Sequence, residues 1–136
     1  MYCYDWPLAL FEIRPMKVTR LLHAALLVND LERSRKFYGG VLGLREKPRH
    51  NFDFSGVWYD LGETELHLMV VPDPLPPTEH RPRRDFHVAL LIDDYEATKT
   101  HLSKLGIPVR EGRHGLPQLF VRDPDGNLIE LQQNAD

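Results

Sequence analysis

The sequence predicts an α+β domain built from two tandem βαβββ modules, and two observations carry that prediction. The first is internal repetition: shifted by 64 residues, HAALLVNDLE from His23 to Glu32 falls on HVALLIDDYE from His87 to Glu96. After a one-residue slip the match continues at 63, with Leu42-Gly43-Leu44 on Leu105-Gly106-Ile107 and Leu66-His67-Leu68 on Ile129-Glu130-Leu131. The second is a plan common to both halves: an apolar strand, an acidic cap, a short amphipathic helix closed by glycine, then three strands separated by turn residues.

Residues 1–16 read as an N-terminal extension, either a non-native start with Met16 as the true beginning or an arm packed on the domain. Residues 17–136 then form one domain, with module one over about 17–71, a linker over 72–85 and module two over about 86–133. Module one opens with an apolar strand over 21–28. Asp30 supplies a side-chain oxygen to cap free helical amides, and Leu31, Ser34, Tyr38 and Val41/Leu42 fall on one helical face before Gly39, Gly40 and Gly43 stop it. Gly62 marks a turn between later strands. The linker holds five prolines in fourteen residues and reads as extended. In module two, a strand over 86–92 leads to Asp94 as cap. A helix follows with Tyr95, Thr98, Leu102 and Leu105 on one face, closed by Gly106 and Pro108, and Asp123-Pro124-Asp125-Gly126 makes the last turn.

Composition narrows the function. The 136 residues are 42% hydrophobic and 27% charged, enough apolar material for one core. A formal charge of −3 without a dense basic run excludes general affinity for nucleic acid or an anionic membrane, so the expected partner is a small molecule. No apolar stretch approaches the roughly 18 residues that span a bilayer, and the N-terminal residues lack the basic start of a secretory leader. The lone cysteine, Cys3, excludes an intrachain disulfide scaffold and a Cys-based zinc site. The expected compartment is the cytoplasm.

Alternation along the strands places His23, His67, His87 and Glu130 on the faces turned away from the helices, and the repeat equates His23 with His87 and His67 with Glu130. A single strand histidine is ordinarily a hydrogen-bonded core residue. Four ligand-type side chains at four equivalent positions are harder to explain that way, and a carboxylate between Ile129 and Leu131 needs a cation or strong donors. Three imidazoles and a carboxylate suit one divalent ion: Zn, Ni, Co, Mn or Fe.

These residues resemble the glyoxalase/bleomycin-resistance/extradiol-dioxygenase (vicinal oxygen chelate) superfamily over about Lys17 to Gln133. The carriers are His23 with Asn29-Asp30-Leu31-Glu32, Phe37-Tyr38, Val41-Leu42-Gly43-Leu44, Leu66-His67-Leu68, His87, and Asp123 through Leu131. The resemblance implies a half-open mixed-sheet barrel, a homodimer, and metal ligands at His23, His67, His87 and Glu130. It also implies a lyase or isomerase that binds vicinal oxygens and passes through an enediolate, with Glu130 as catalytic base. His67 departs from the two-glutamate pattern of glyoxalase I, and Leu27 stands where an arginine often contacts glutathione. Two alternatives stay open. One is an Fe(II) extradiol-type dioxygenase using His23, His87 and Glu130. The other is a non-catalytic antibiotic-binding protein whose groove would use Phe52, Phe54, Trp58 and Tyr59, although core packing explains at least half of them, since Trp58 and Phe54 lie at alternating spacing near a strand. The repeat register favours His67 over Glu65 as ligand and leaves Glu65 solvated or at the rim. His50, His80, His101 and His114 carry no assigned role.

Overall fold

The structure, a computed structural model, describes residues 16–72 and 80–134. The expectations for residues 1–15 and for the middle of the linker, 73–79, lie outside the described residues. Module one comprises β1 (His23–Val28), α1 (Leu31–Arg35), a π-helical continuation (Lys36–Val41), β2 (Arg45–Lys47), β3 (Gly56–Asp60) and β4 (Glu65–Val70). Module two comprises β5 (His87–Ile92), α2 (Tyr95–Lys104), β6 (Arg110–Glu111), β7 (Gln118–Arg122) and β8 (Leu128–Gln133). The sheets are four-stranded and mixed, in the orders β1-β4-β3-β2 and β5-β8-β7-β6, with only the β1–β4 and β5–β8 pairs parallel. The α+β fold with two βαβββ modules is therefore the one the sequence predicts.

Both predicted caps form. Asp30 accepts from the Arg33 amide at 3.0 Å and Asp94 from the Ala97 amide at 2.8 Å, each satisfying one of the free donors of a helix start. Helix α2 closes with Ile107 N–H bonded to Leu102 O and Gly106 N–H to Ser103 O, with Gly106 at φ 68°. Module one ends on the same glycine turn, Gly43 at φ 71°, but Leu44 N–H reaches back six residues to Tyr38 O. Its helix carries one residue more, and the π turn takes it up, with Leu42 N–H bonding Phe37 O at 2.9 Å. This is the physical content of the slip from 64 to 63. The uniform helix expected from Leu31 to Leu42 is corrected accordingly, and Phe37 is buried beside Tyr38. Leu105, expected on the apolar face of α2, is its exposed C-cap.

One core joins the modules. Val28, Tyr38, Tyr59, Leu66 and Leu68 pack with Leu102, Leu119, Val121, Ile129 and Leu131. The junction is also polar. The buried Tyr38 hydroxyl donates to Asp123 at 2.7 Å, and burial with this anionic partner pushes the phenol well above its ordinary pKa of 10.0. Asn127 Nδ2 donates to Leu27 O at 2.9 Å, and the Asn29 amide donates to Asp125 at 3.1 Å. Asp123 organises the final turn by accepting from the amides of Asp125 and Asn127, with Gly126 at φ 86°. That turn launches β8. Among the described residues no helix is long and apolar enough to cross a membrane.

Candidate functional site

Strand register settles which positions are equivalent. Ala25 lies opposite His67 and Ala89 opposite Glu130, whereas His23 lies opposite Glu65 and His87 opposite Leu128. His67 therefore matches Glu130, as the repeat implies, and Glu65 matches Leu128. The outward faces of the first strands hold His23, Ala25 and Leu27 in β1 and His87, Ala89 and Leu91 in β5, all exposed. His67 and Glu130 sit deeper, at 9% and 7% exposure, because β4 and β8 are covered on both sides by neighbouring strands.

The four side chains meet in two pairs. In module one the rings of His23 and His67 stack at 4.1 Å, and Trp58, directly opposite His67 on β3, stacks on its other face at 4.2 Å. Glu65 accepts from His67 Nε2 at 2.7 Å and from the ammonium of Lys47. These two partners, Lys47 foremost, hold its carboxyl below the ordinary 4.5. The solvated reading of Glu65 is thus corrected: it orients the His67 ring. In module two, His87 Nε2 faces Glu130 Oε2 at 3.0 Å, and Gln118 Nε2 donates to Glu130 Oε1 at 2.8 Å. Among the described residues no three His, Cys, Asp or Glu side chains gather as a metal would require. Each module brings two of the four expected donors together.

The donor chemistry of the second pair fits a cation. His87 Nδ1 lies 2.9 Å from Asp85 O, and a carbonyl oxygen only accepts, so Nδ1 carries the proton. His87 Nε2 lies 3.0 Å from Glu130 Oε2, a ring nitrogen and a carboxylate oxygen close enough together to be two ligands of one cation. A backbone carbonyl that fixes the far nitrogen of an imidazole is also the usual support of a histidine ligand.

Three contributors were not singled out from sequence. Gln118 is one, although its place on the same face of β7 as Phe120, which opposes Glu130, is readable from alternation. Gly112 makes room for it, since a Cβ there would stand 2.7 Å from Gln118 Oε1 and 3.0 Å from its Cβ. The Asp85 carbonyl had no sequence signal. The core-packing reading of Trp58 and Phe54 fails for Phe54, which is exposed like Phe52, and Trp58 is half-buried; the fully buried member of the group is Tyr59. Phe52 stacks on Phe54 at 5.2 Å, tilts against Trp58 at 6.1 Å, and has the Arg49 guanidinium 5.0 Å from its centroid. An aromatic surface thus runs from His67 outward. His50 joins it edge-on to Trp58, and His101 bonds Val41 O across the module junction.

Comparisons with known proteins place this geometry in context. A family profile described as Glyoxalase/Bleomycin resistance protein/Dioxygenase superfamily matches residues 20–131. A lactoylglutathione lyase of Haemophilus influenzae is 31% identical over 128 residues, covering 85% of this chain and 93% of its own. A mitochondrial methylmalonyl-CoA epimerase of Mus musculus is 31% identical over 132 residues, covering 86% of this chain and 74% of its own. The crystal structure of a glyoxalase family protein from Bacillus anthracis superposes with a TM-score of 0.75 at 26% identity, covering 89% of this chain and 99% of that one.

Proposed function

We propose that this chain, which belongs to the glyoxalase/bleomycin resistance protein/dioxygenase superfamily, is a divalent-metal-dependent lyase or isomerase. Its substrate is a small molecule with vicinal oxygens, and Glu130 moves a proton on the carbon beside a carbonyl. The observation that carries this reading is the close approach of His87 Nε2 to Glu130 Oε2, 3.0 Å apart, with the other ring nitrogen held by the Asp85 carbonyl. His23, His67, His87 and Glu130 would hold the ion. When bound, such an ion supplies Lewis acidity that polarises the substrate carbonyl.

The remaining chemistry belongs to the chain. Gln118 fixes the Glu130 carboxylate through Oε1, and with Glu130 only 7% exposed the group that moves the proton is held in one orientation and largely shielded from water. Glu65 and Trp58 hold His67 in one ring orientation. The relatives lend support, since one is named a lactoylglutathione lyase and the other a methylmalonyl-CoA epimerase.

The site is read as closing between two copies. β1 and β5 are edge strands of their sheets, and Leu27, Leu91 and Phe86 beside the half-sets are exposed, the last at 98%. A second copy that sets its β5 half beside the first copy's β1 half joins two donors to two donors and covers this apolar surface. A second reading has one observation in its favour. Glu65 already occupies His67 Nε2, and the remaining His23, His87 and Glu130 form the two-histidine, one-carboxylate set of an Fe(II) dioxygenase.

Elemental analysis of purified protein, before and after chelation and reloading, tests the reading. The expected result is about one ion per wild-type chain and none in His23→Ala/Glu130→Ala. The loaded protein should then exchange the hydrogen beside the carbonyl of a hemithioacetal or short acyl thioester in D2O. Metal that is neither retained nor reloadable overturns the proposal, and oxygen uptake with a catechol instead selects the dioxygenase.

A further inference from the structure

A cavity of about 470 Å³ opens against the His87–Glu130 pair, and its outer wall is made by Arg83, Arg84, Arg110 and Arg113. The arginines around this part of the molecule fall into two groups. Arg81 and Arg122 are structural: both donate to Gly126 O, and Arg122 pairs with Asp85 at 2.8 Å. Those lining the cavity face a different balance. Of the two carboxylates in its wall, Asp85 is taken by Arg122 and Glu130 by His87 and Gln118. Neither answers the guanidiniums of Arg84 or Arg113, which are exposed, while the Arg110 guanidinium lies over the Phe120 ring, 4.4 Å from its centroid.

Four guanidiniums gathered around one cavity repel each other unless an anion joins them. They also form a fork-shaped donor set that suits planar or tetrahedral oxyanions. The chain as a whole carries a formal charge of −3, so this concentration of positive charge is local to the cavity. We infer that the cavity receives an oxyanion group of the substrate, a carboxylate, phosphate or phosphonate. Arg84, Arg110 and Arg113 bind it while the reacting carbon lies at Glu130. The inference rests on the proposed reading of Glu130 and narrows its substrate class to anionic molecules, with specificity set by the β6–β7 hairpin and the end of the linker. Arg84 and Arg113, which make no bond elsewhere in the described residues, act on affinity rather than on stability.

Sulfate, a weak ligand for transition metals, is the probe. It is titrated into the full-length protein at constant ionic strength against chloride, with amide chemical shifts read by NMR. Saturable shifts at Gly112 to His114 and at Arg83 to Asp85 are expected. Arg84→Gln/Arg113→Gln should weaken binding about fivefold or more, as expected for the loss of two charged contacts, while the distant Arg45→Gln leaves it unchanged. Shifts that do not saturate, or equal affinity in the double variant, overturn the inference. Two variants separate the readings: His87→Ala/Glu130→Gln should lose metal and keep sulfate binding, and Arg84→Gln/Arg113→Gln should keep its metal content while sulfate binding weakens.

Discussion

Two buried tyrosines offer a controlled comparison of the module junction. Tyr38 and Tyr59 are both fully buried, with rings 6.1 Å apart, but only Tyr38 has a partner: its hydroxyl donates to Asp123 across the junction at 2.7 Å. The Tyr59 hydroxyl is buried without one among the described residues. Replacing Tyr38 with Phe keeps the ring and opens no cavity, so the loss is that of one hydrogen bond to a charged acceptor, about 2 kcal/mol. Asp123 keeps the Asn127 side-chain donor on the same oxygen, which holds the cost near that figure. Tyr59→Phe removes a hydroxyl desolvated without return, and is expected to be neutral or to stabilise by up to about 1 kcal/mol. Urea unfolding at fixed protein concentration measures both. With a slope of about 2 kcal/mol/M, Tyr38→Phe should lower the midpoint by about 1 M, while Tyr59→Phe should leave it or raise it. Equal destabilisation by the two variants, or a loss below about 0.5 kcal/mol for Tyr38→Phe, would refute the reasoning.

Other outcomes follow from the site. Glu65 is held below its ordinary 4.5 by Lys47 and His67, so the folded state binds fewer protons than the unfolded one in that range. The stability this gives is complete above the ordinary value and is lost as pH falls through the lower folded one. Chemical unfolding of Glu65→Gln should show a shallower acid loss than wild type, and identical acid slopes would count against the pairing. Gly112→Ala should push the Gln118 amide off Glu130 and lower metal affinity about tenfold, matching Gln118→Ala in competition with a chelating dye. Because Trp58 stacks on His67, Ni or Co loading should quench its fluorescence. Trp58→Phe should abolish that change while metal content stays intact, and quenching that survives in Trp58→Phe would show another reporter.

How far the sequence carries depends on the kind of interaction. The modules, both caps and the equivalence of His67 with Glu130 are legible because each is written in local spacing: a repeat, an Asp three residues before an amide, a two-residue strand period. The π turn left only its shadow, the slip of one residue between helix start and Gly43. Gln118 is legible in part, because strand alternation puts it on the face of Phe120 and Glu130. The Asp85 carbonyl supporting His87 is not, since a main-chain oxygen has no residue identity. Glu65 misleads from sequence because the pleat that sets it on the face of His67 also brings Lys47, two strands earlier in the chain, to its carboxylate. The division of donors into two pairs was hidden for a different reason. The repeat says which positions are equivalent but not whether both halves face a common centre within one chain.

Mixing two defective chains addresses that division directly. His23→Ala/His67→Ala lacks one half of the donor set and His87→Ala/Glu130→Ala the other, so neither should bind metal alone. Co-refolded and isolated through different affinity tags, a mixed dimer with donors shared between copies carries one intact set. It should hold about one ion per two chains and recover a matching share of proton exchange. A mixed dimer that forms and binds no metal would contradict the shared site, and with it the joining of His23, His67, His87 and Glu130 in one centre between two copies.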